Sequence, residues 1–211
     1  MWLSVKRMKN KSHPKGMVIA YQVDGGLYLN ITNRCTNDCL FCIRNNETGM
    51  GYNLWLEREP TVKEIEEAIG DPSPYAEVVF CGYGEPLLRG DVVIEVARWL
   101  KTHHAKKIRI NTNGLADLFL NYDIVPLMKG LIDTISISLN AHNAEEYQKI
   151  SQSCFGERAY EALLGFTKRC REVIPEVILS VVDYPGVDVD KARAVAASLG
   201  VQFRNRHYLS D

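Results

Sequence analysis

Short apolar runs bounded by turn residues recur along the chain and alternate with segments of helical period. Residues 77–80, 107–111, 134–139, 177–182 and 201–206 read as strands. Between them lie an amphipathic helix over 91–102, a helical stretch over 115–129 interrupted by Pro126, a long helix over 157–173, and one over 188–199 stopped by Gly200. Two further starts are marked by caps. Thr61-x-x-Glu64 is a capping box behind Pro60 that opens a helix closed by Gly70, and Asn143-x-x-Glu146 caps a short helix.

Ahead of this series, residues 17–23 read as a strand, and Asp24-Gly25-Gly26 turns the chain into a second strand over 27–32. Six strands joined by helical crossovers imply a parallel sheet with right-handed connections. A closed eightfold barrel needs roughly 250 residues. A chain of 211 residues therefore predicts an α/β fold: a partial (βα)6 TIM-type barrel with an N-terminal β-hairpin strand, forming a single domain over 17–211.

Composition narrows the class. Apolar residues make up 46% and charged residues 24%, ordinary for a globular protein, and the net charge of −1 gives no overall attraction to nucleic acid or anionic membrane. Residues 1–16 hold Lys6, Arg7, Lys9, Lys11 and Lys15 without an acidic residue, which reads as a flexible basic leader. No apolar run suggests a signal peptide or a membrane span, so membrane attachment is not expected. Six cysteines, half of them within eight residues, fit a reducing cytoplasm better than a disulfide framework.

Those three, Cys35, Cys39 and Cys42, follow the second strand as C-x3-C-x2-C, in the loop where an α/β fold places ligands. Thiolates bind soft metal centres, and a cubane held by three cysteines keeps one iron open for substrate or cofactor. Two other readings exist. The spacing i, i+4, i+7 also fits one face of a helix, although the flanking Asn33, Arg34, Thr36, Asn37 and Asp38 are poor core residues. Structural zinc would need a fourth ligand, such as His142 or Cys81.

The other strand ends are polar as well. After 77–80 comes Cys81-Gly82-Tyr83-Gly84-Glu85-Pro86, whose glycines expose backbone groups and admit a ligand closely. Asn111-Thr112-Asn113-Gly114 offers carboxamides suited to ribose hydroxyls, or simply an Asn-Gly turn. Alternation sends Ser136, Ser138 and Asn140 to one face, a stripe that suggests a polar cavity. The last two strands end near Ser180 and Asp183, and at Arg204, Arg206, His207 and Tyr208. For these arginines a solvated edge and a substrate contact are equally open readings. No catalytic acid or base is singled out.

The cysteine spacing with Phe41 directly before the third cysteine resembles the cluster motif of the radical S-adenosylmethionine (SAM) superfamily. The resemblance runs from about residue 17 to the end. It implies a [4Fe–4S] cluster on Cys35, Cys39 and Cys42 with SAM on the open iron, and an electron from a donor such as flavodoxin or ferredoxin that cleaves SAM to a 5′-deoxyadenosyl radical. Gly84-Glu85-Pro86 is similar to the family's Gly-Gly-Glu-Pro motif, with Tyr83 in place of the first glycine. By that resemblance Gly82, Gly84, Glu85, Asn111, Asn113, Ser138, Asn140 and Phe41 line the SAM site. The stretches Asn30-Ile31-Thr32-Asn33-Arg34-Cys35-Thr36-Asn37-Asp38-Cys39-Leu40-Phe41-Cys42 and Cys81-Gly82-Tyr83-Gly84-Glu85-Pro86-Leu87-Leu88-Arg89 further resemble small radical SAM proteins associated with TatD-family nucleases. Against an enzyme stands a noncatalytic iron–sulfur or zinc-binding module that regulates a nuclease partner.

Overall fold

A computed structural model describes residues 16–45 and 51–208; the expected basic leader, except Gly16, and part of the loop after the cysteines lie outside them. Seven strands form one sheet in sequence order: β1 (Ala20–Val23), β2 (Gly26–Leu29), β3 (Val78–Phe80), β4 (Ile108–Thr112), β5 (Thr134–Ser138), β6 (Glu176–Val182) and β7 (Gln202–Arg206). β1 is antiparallel to β2 and every later neighbour is parallel. This is the expected hairpin and six-strand parallel series. Asp24 and Gly25 both take positive φ in the connecting turn, the conformation that matches hairpin twist.

The crossovers carry α1 (Val62–Ile69), α2 (Gly90–Thr102), α3 (Ala116–Leu120), α4 (Val125–Met128), α5 (Ala144–Ser151), α6 (Arg158–Val173) and α7 (Val189–Ser198). The capping box at Thr61 is present with both of its hydrogen bonds, and Asn143 caps α5 through Glu146 N–H. One expectation changes. The segment 115–129 is two short helices, and Pro126 sits in the first turn of the second instead of breaking one helix. The break falls at Asn121, in the left-handed region, where Asp117 and Asp123 accept the Ile124 and Val125 N–H groups. Proline lacks an N–H, so a first turn accommodates it at no hydrogen-bond cost.

The period of two decides what faces the site. Leu27, Leu29, Val78, Phe80, Ile108, Ile110, Ile135, Ile137, Leu179 and Val181 turn outward into the core under the helices. The opposite face holds Tyr28, Arg109, Asn111, Ser136, Ser138, Ser180, Arg204 and Arg206 beside Val79, Ile178 and Val182, so the concave side is mixed with a polar majority. On the hairpin side that concavity is filled by a second cluster of Tyr21, Leu54 and Tyr83, with Tyr28 and Trp55 against it. No helix among the described residues is long and apolar enough to cross a membrane.

Candidate active site

Everything chemical gathers where the parallel strands end. The cysteine loop leaves β2 and is laid against the end of α5: Asp38 N–H donates to Ser151 O, Leu40 N–H to Ile150 O, and Cys154 N–H to Thr36 O. Asn37 donates to the buried Tyr147 hydroxyl at 2.9 Å. Phe41 packs on Tyr184 with ring centroids 5.8 Å apart, and Tyr184 meets Tyr208 edge-on. This aromatic therefore ties the loop to the segment after β6.

The three thiols remain reachable by solvent but lie close enough to influence one another's ionisation. Burial pushes the Cys35 thiol up to about 11, with the Glu85 carboxyl adding to the shift. Burial and the neighbouring Cys35 and Cys42 also raise Cys39, while a hydrogen bond to Ser151 opposes them. Donors are aimed at the sulfurs: Asn37 N–H at Cys35 (3.4 Å), Arg44 Nε at Cys42 (3.2 Å) and Asn113 Nδ2 at Cys35 (3.8 Å). Such donors stabilise thiolate ligands.

The donor set fits a cubane. Each cysteine of a cubane binds a different iron, whereas the ligands of one zinc ion converge on a point. Among the described residues no three His, Cys, Asp or Glu side chains converge in that way. His142 is turned to Glu146 at 2.9 Å, and Cys81 is hydrogen-bonded by Asn111. The buried oxygens Asn37 Oδ1, Asn111 Oδ1 and Asn140 Oδ1, by contrast, have no hydrogen-bond partner among the described residues, as expected of groups that meet a polar ligand.

The segment after β3 packs closely, and what stands against its glycines is the protein's own chain. A Cβ on Gly82 would lie 2.9 Å from Asn30 Cα, and one on Gly84 would lie 2.6 Å from Arg34 O. Both glycines thus face the β2 end and the start of the cysteine loop. Asn30, which sequence reasoning missed, donates to Val18 O (3.0 Å) and Leu54 O (2.8 Å) and accepts from Tyr83 N–H. The Tyr83 ring packs edge-on against Trp55 at 5.2 Å, within electrostatic reach of Cys42.

Glu85 is 3% exposed and acts as a clamp. Its Oε1 accepts from Thr112 Oγ1 (2.7 Å) and Leu87 N–H (3.1 Å), and its Oε2 accepts from Asn113 N–H (2.7 Å). Burial still outweighs these donors and raises its pKa to about 7. Ser138 lies on the concave face, contacted by Arg206. Asn140 takes positive φ, and its Nδ2 donates to Ser151 at 3.3 Å, beside Cys39. The sequence-derived residues therefore share one mouth, with Ser151, Tyr147, Thr36 and Asn30 as supports that no local signal marks.

A family model, Radical SAM superfamily, matches residues 29–199. GTP 3′,8-cyclase of Lactiplantibacillus plantarum is 30% identical over 168 residues, covering 77% of this chain and 47% of that protein. GTP 3′,8-cyclase of Aquifex aeolicus is 29% identical over 189 residues, covering 87% and 56%. The chain thus spans about half the length of these curated relatives. Among solved structures, a radical SAM methyltransferase from Sphaerobacter thermophilus superposes with a TM-score of 0.58 at 16% identity, covering 89% of this chain and 68% of that one. HydG, a maturase of the [FeFe]-hydrogenase, superposes with a TM-score of 0.59 at 16% identity, covering 88% and 43%. Three thiols at the mouth of a parallel half-barrel, together with a family match across most of the length, lead to one assignment: the chain belongs to the radical SAM superfamily, whose members use a [4Fe–4S] cluster and S-adenosylmethionine.

Proposed function

We propose that the chain is a radical SAM enzyme acting on a substrate bound in the concave, polar face of the half-barrel. Cys35, Cys39 and Cys42 would hold a [4Fe–4S] cluster with SAM, and that pair would supply one-electron reductive cleavage of SAM, the source of a 5′-deoxyadenosyl radical for hydrogen abstraction from the substrate. The observation that carries this reading is the convergence of the cysteine loop, the Gly82–Glu85 turn and Asn113 through direct hydrogen bonds.

The chain's own residues prepare the site. Arg44 and Asn113 hold donors on the ligand sulfurs, and Glu85 fixes the ends of β3 and β4 against each other. Gly82, Gly84, Asn111, Asn113, Ser138 and Asn140 present backbone or carboxamide groups for SAM. Glu85 supports them from beneath, one Oε2 lone pair remaining for a donor. Phe41, Tyr184 and Tyr208 wall the mouth, and the Tyr21, Tyr83 and Trp55 cluster seals the hairpin side against water.

Enzymes of this superfamily generally need an external reductant; flavodoxin or ferredoxin is the donor class proposed here, in a cytoplasmic setting. The TatD-associated grouping and a nuclease partner rest on the motif resemblance. The polar concavity suits a small polar molecule better than a regulatory metal module. Anaerobic reconstitution should give a brown protein with about four irons that forms 5′-deoxyadenosine from SAM and dithionite. A colourless protein binding one zinc, with no SAM cleavage, would remove the proposal.

A further inference from the structure

Among the described residues, several arginines around the strand ends are paired with carboxylates. Arg34 and Arg89 meet Glu59, and Arg109 meets Glu77 at 2.8 Å. Arg204 and Arg206 stand on the same face of β7, in register with Ser180 and Val182, and among the described residues neither has a carboxylate within 4.0 Å. The acid in the next loop, Asp183, is taken up by His207, Tyr208 N–H and Asn205. The Arg206 guanidinium instead reaches two strands across to Ser138 Oγ at 3.4 Å, with Cys81 and Cys39 within electrostatic reach. It lies at the exposed β7 edge of the sheet.

Arg204 and Arg206 stand side by side on the same face at the exposed β7 edge, where their like charges repel each other. Desolvation of the guanidinium and the neighbouring Arg204 press the Arg206 pKa downward, against Cys81 and Cys39, which press it upward. A dianion removes the repulsion. The planar guanidinium fork matches phosphoryl oxygens in pairs, and one carboxylate, the only anionic group SAM carries, would leave one of the two positive charges unmatched.

We propose that Arg206 and Arg204, with the Ser138 hydroxyl, bind a phosphoryl group of the substrate, so that this enzyme acts on a phosphorylated small molecule entering past the open β7 edge. The inference rests on the radical SAM reading and names its substrate class.

The test uses reconstituted, SAM-loaded protein under anaerobic conditions, titrated calorimetrically with inorganic pyrophosphate and, separately, with malonate. Pyrophosphate should bind once per chain and more tightly than malonate. Its affinity should fall at least tenfold in Arg206→Gln and in Arg204→Gln. It should be unchanged in Arg193→Gln, which removes the same charge from a guanidinium lying 4.6 Å over the outward Phe203 ring. Equal pyrophosphate binding by wild type and Arg206→Gln overturns the proposal, as does tighter binding of malonate. A third result against it is an Arg206→Gln protein that needs more SAM for 5′-deoxyadenosine formation yet keeps its pyrophosphate affinity, because the arginine would then serve the SAM carboxylate. Failure of the wild type to cleave SAM would instead strike the radical reading, which the anion titration does not measure.

Discussion

The side-chain amide of Asn113 donates to Thr36 Oγ1 at 2.9 Å, joining the end of β4 to the residue after the first cysteine. The same Nδ2 lies 3.8 Å from Cys35 Sγ, and the Asn113 backbone N–H is held by Glu85. One residue thus couples the cysteine loop to the glycine-rich turn. Asn113→Ala should cost on the order of 1–2 kcal/mol of stability, the usual effect of unpairing buried partners. It should also weaken the spectral change of the reconstituted cluster on adding SAM. A variant with unaltered SAM titration would show that this contact only braces the fold.

Glu85 links pH to stability. Its folded pKa of about 7 stands above the ordinary glutamate value of 4.5, so the folded state holds this proton more tightly than the unfolded chain. The resulting stabilisation is complete below about pH 4.5 and is lost as pH rises through about 7. Denaturant melts of wild type and Glu85→Gln should therefore diverge in pH dependence between pH 5 and 8. Wild type should lose up to ~3 kcal/mol relative to the non-titrating variant. Parallel curves would place the titration elsewhere.

Gly84 and Gly165 should respond oppositely to alanine. At Gly84 a Cβ meets the Thr32 and Arg34 backbone, which cannot yield without shifting the cysteine loop. At Gly165, inside α6, the nearest atom is the flexible Arg169 guanidinium at 3.5 Å. Gly84→Ala should cost several kcal/mol or abolish cluster assembly. Gly165→Ala should raise stability by about 0.5–1 kcal/mol. Paired thermal melts read both.

Arg44 is buried and donates to Cys42 Sγ and to Asn33 O. Positive charge and hydrogen bonds at a ligand sulfur favour the reduced cluster. Arg44→Ala should therefore shift the cluster potential to a more negative value in an EPR-monitored redox titration. An unchanged potential would confine Arg44 to holding the loop.

Iron content separates the ligands from the remaining cysteines. Cys35→Ala, Cys39→Ala and Cys42→Ala should each lose most bound iron after reconstitution, whereas Cys154→Ala, at an exposed position, should retain about four irons per chain.

How much of this was legible in the chain varies element by element. Strand positions followed from periodicity because burying one face of a sheet imposes alternation on neighbouring residues. The caps at Thr61 and Asn143 were readable because capping is a contact over three residues. Pro126 was misplaced: a proline interrupts a helix or begins one, and the choice lay with Asn121, Asp117 and Asp123 around it. Tyr83 was a departure whose meaning depended on Trp55, 28 residues earlier in the chain and 5.2 Å away in the fold.

The sequence by itself determined the sulfur spacing, the strand–helix alternation and the polar strand ends, because each is encoded within a few neighbouring residues. Only the tertiary structure decided that Glu85 clamps β4, that Ser151 and Tyr147 cradle the cysteine loop, and that Arg206 reaches Ser138 two strands away with no carboxylate partner among the described residues. Those relationships join residues 28 to 113 positions apart. Hydrogen bonding and charge pairing over such separations exist only once curvature of the sheet has brought its strand ends together.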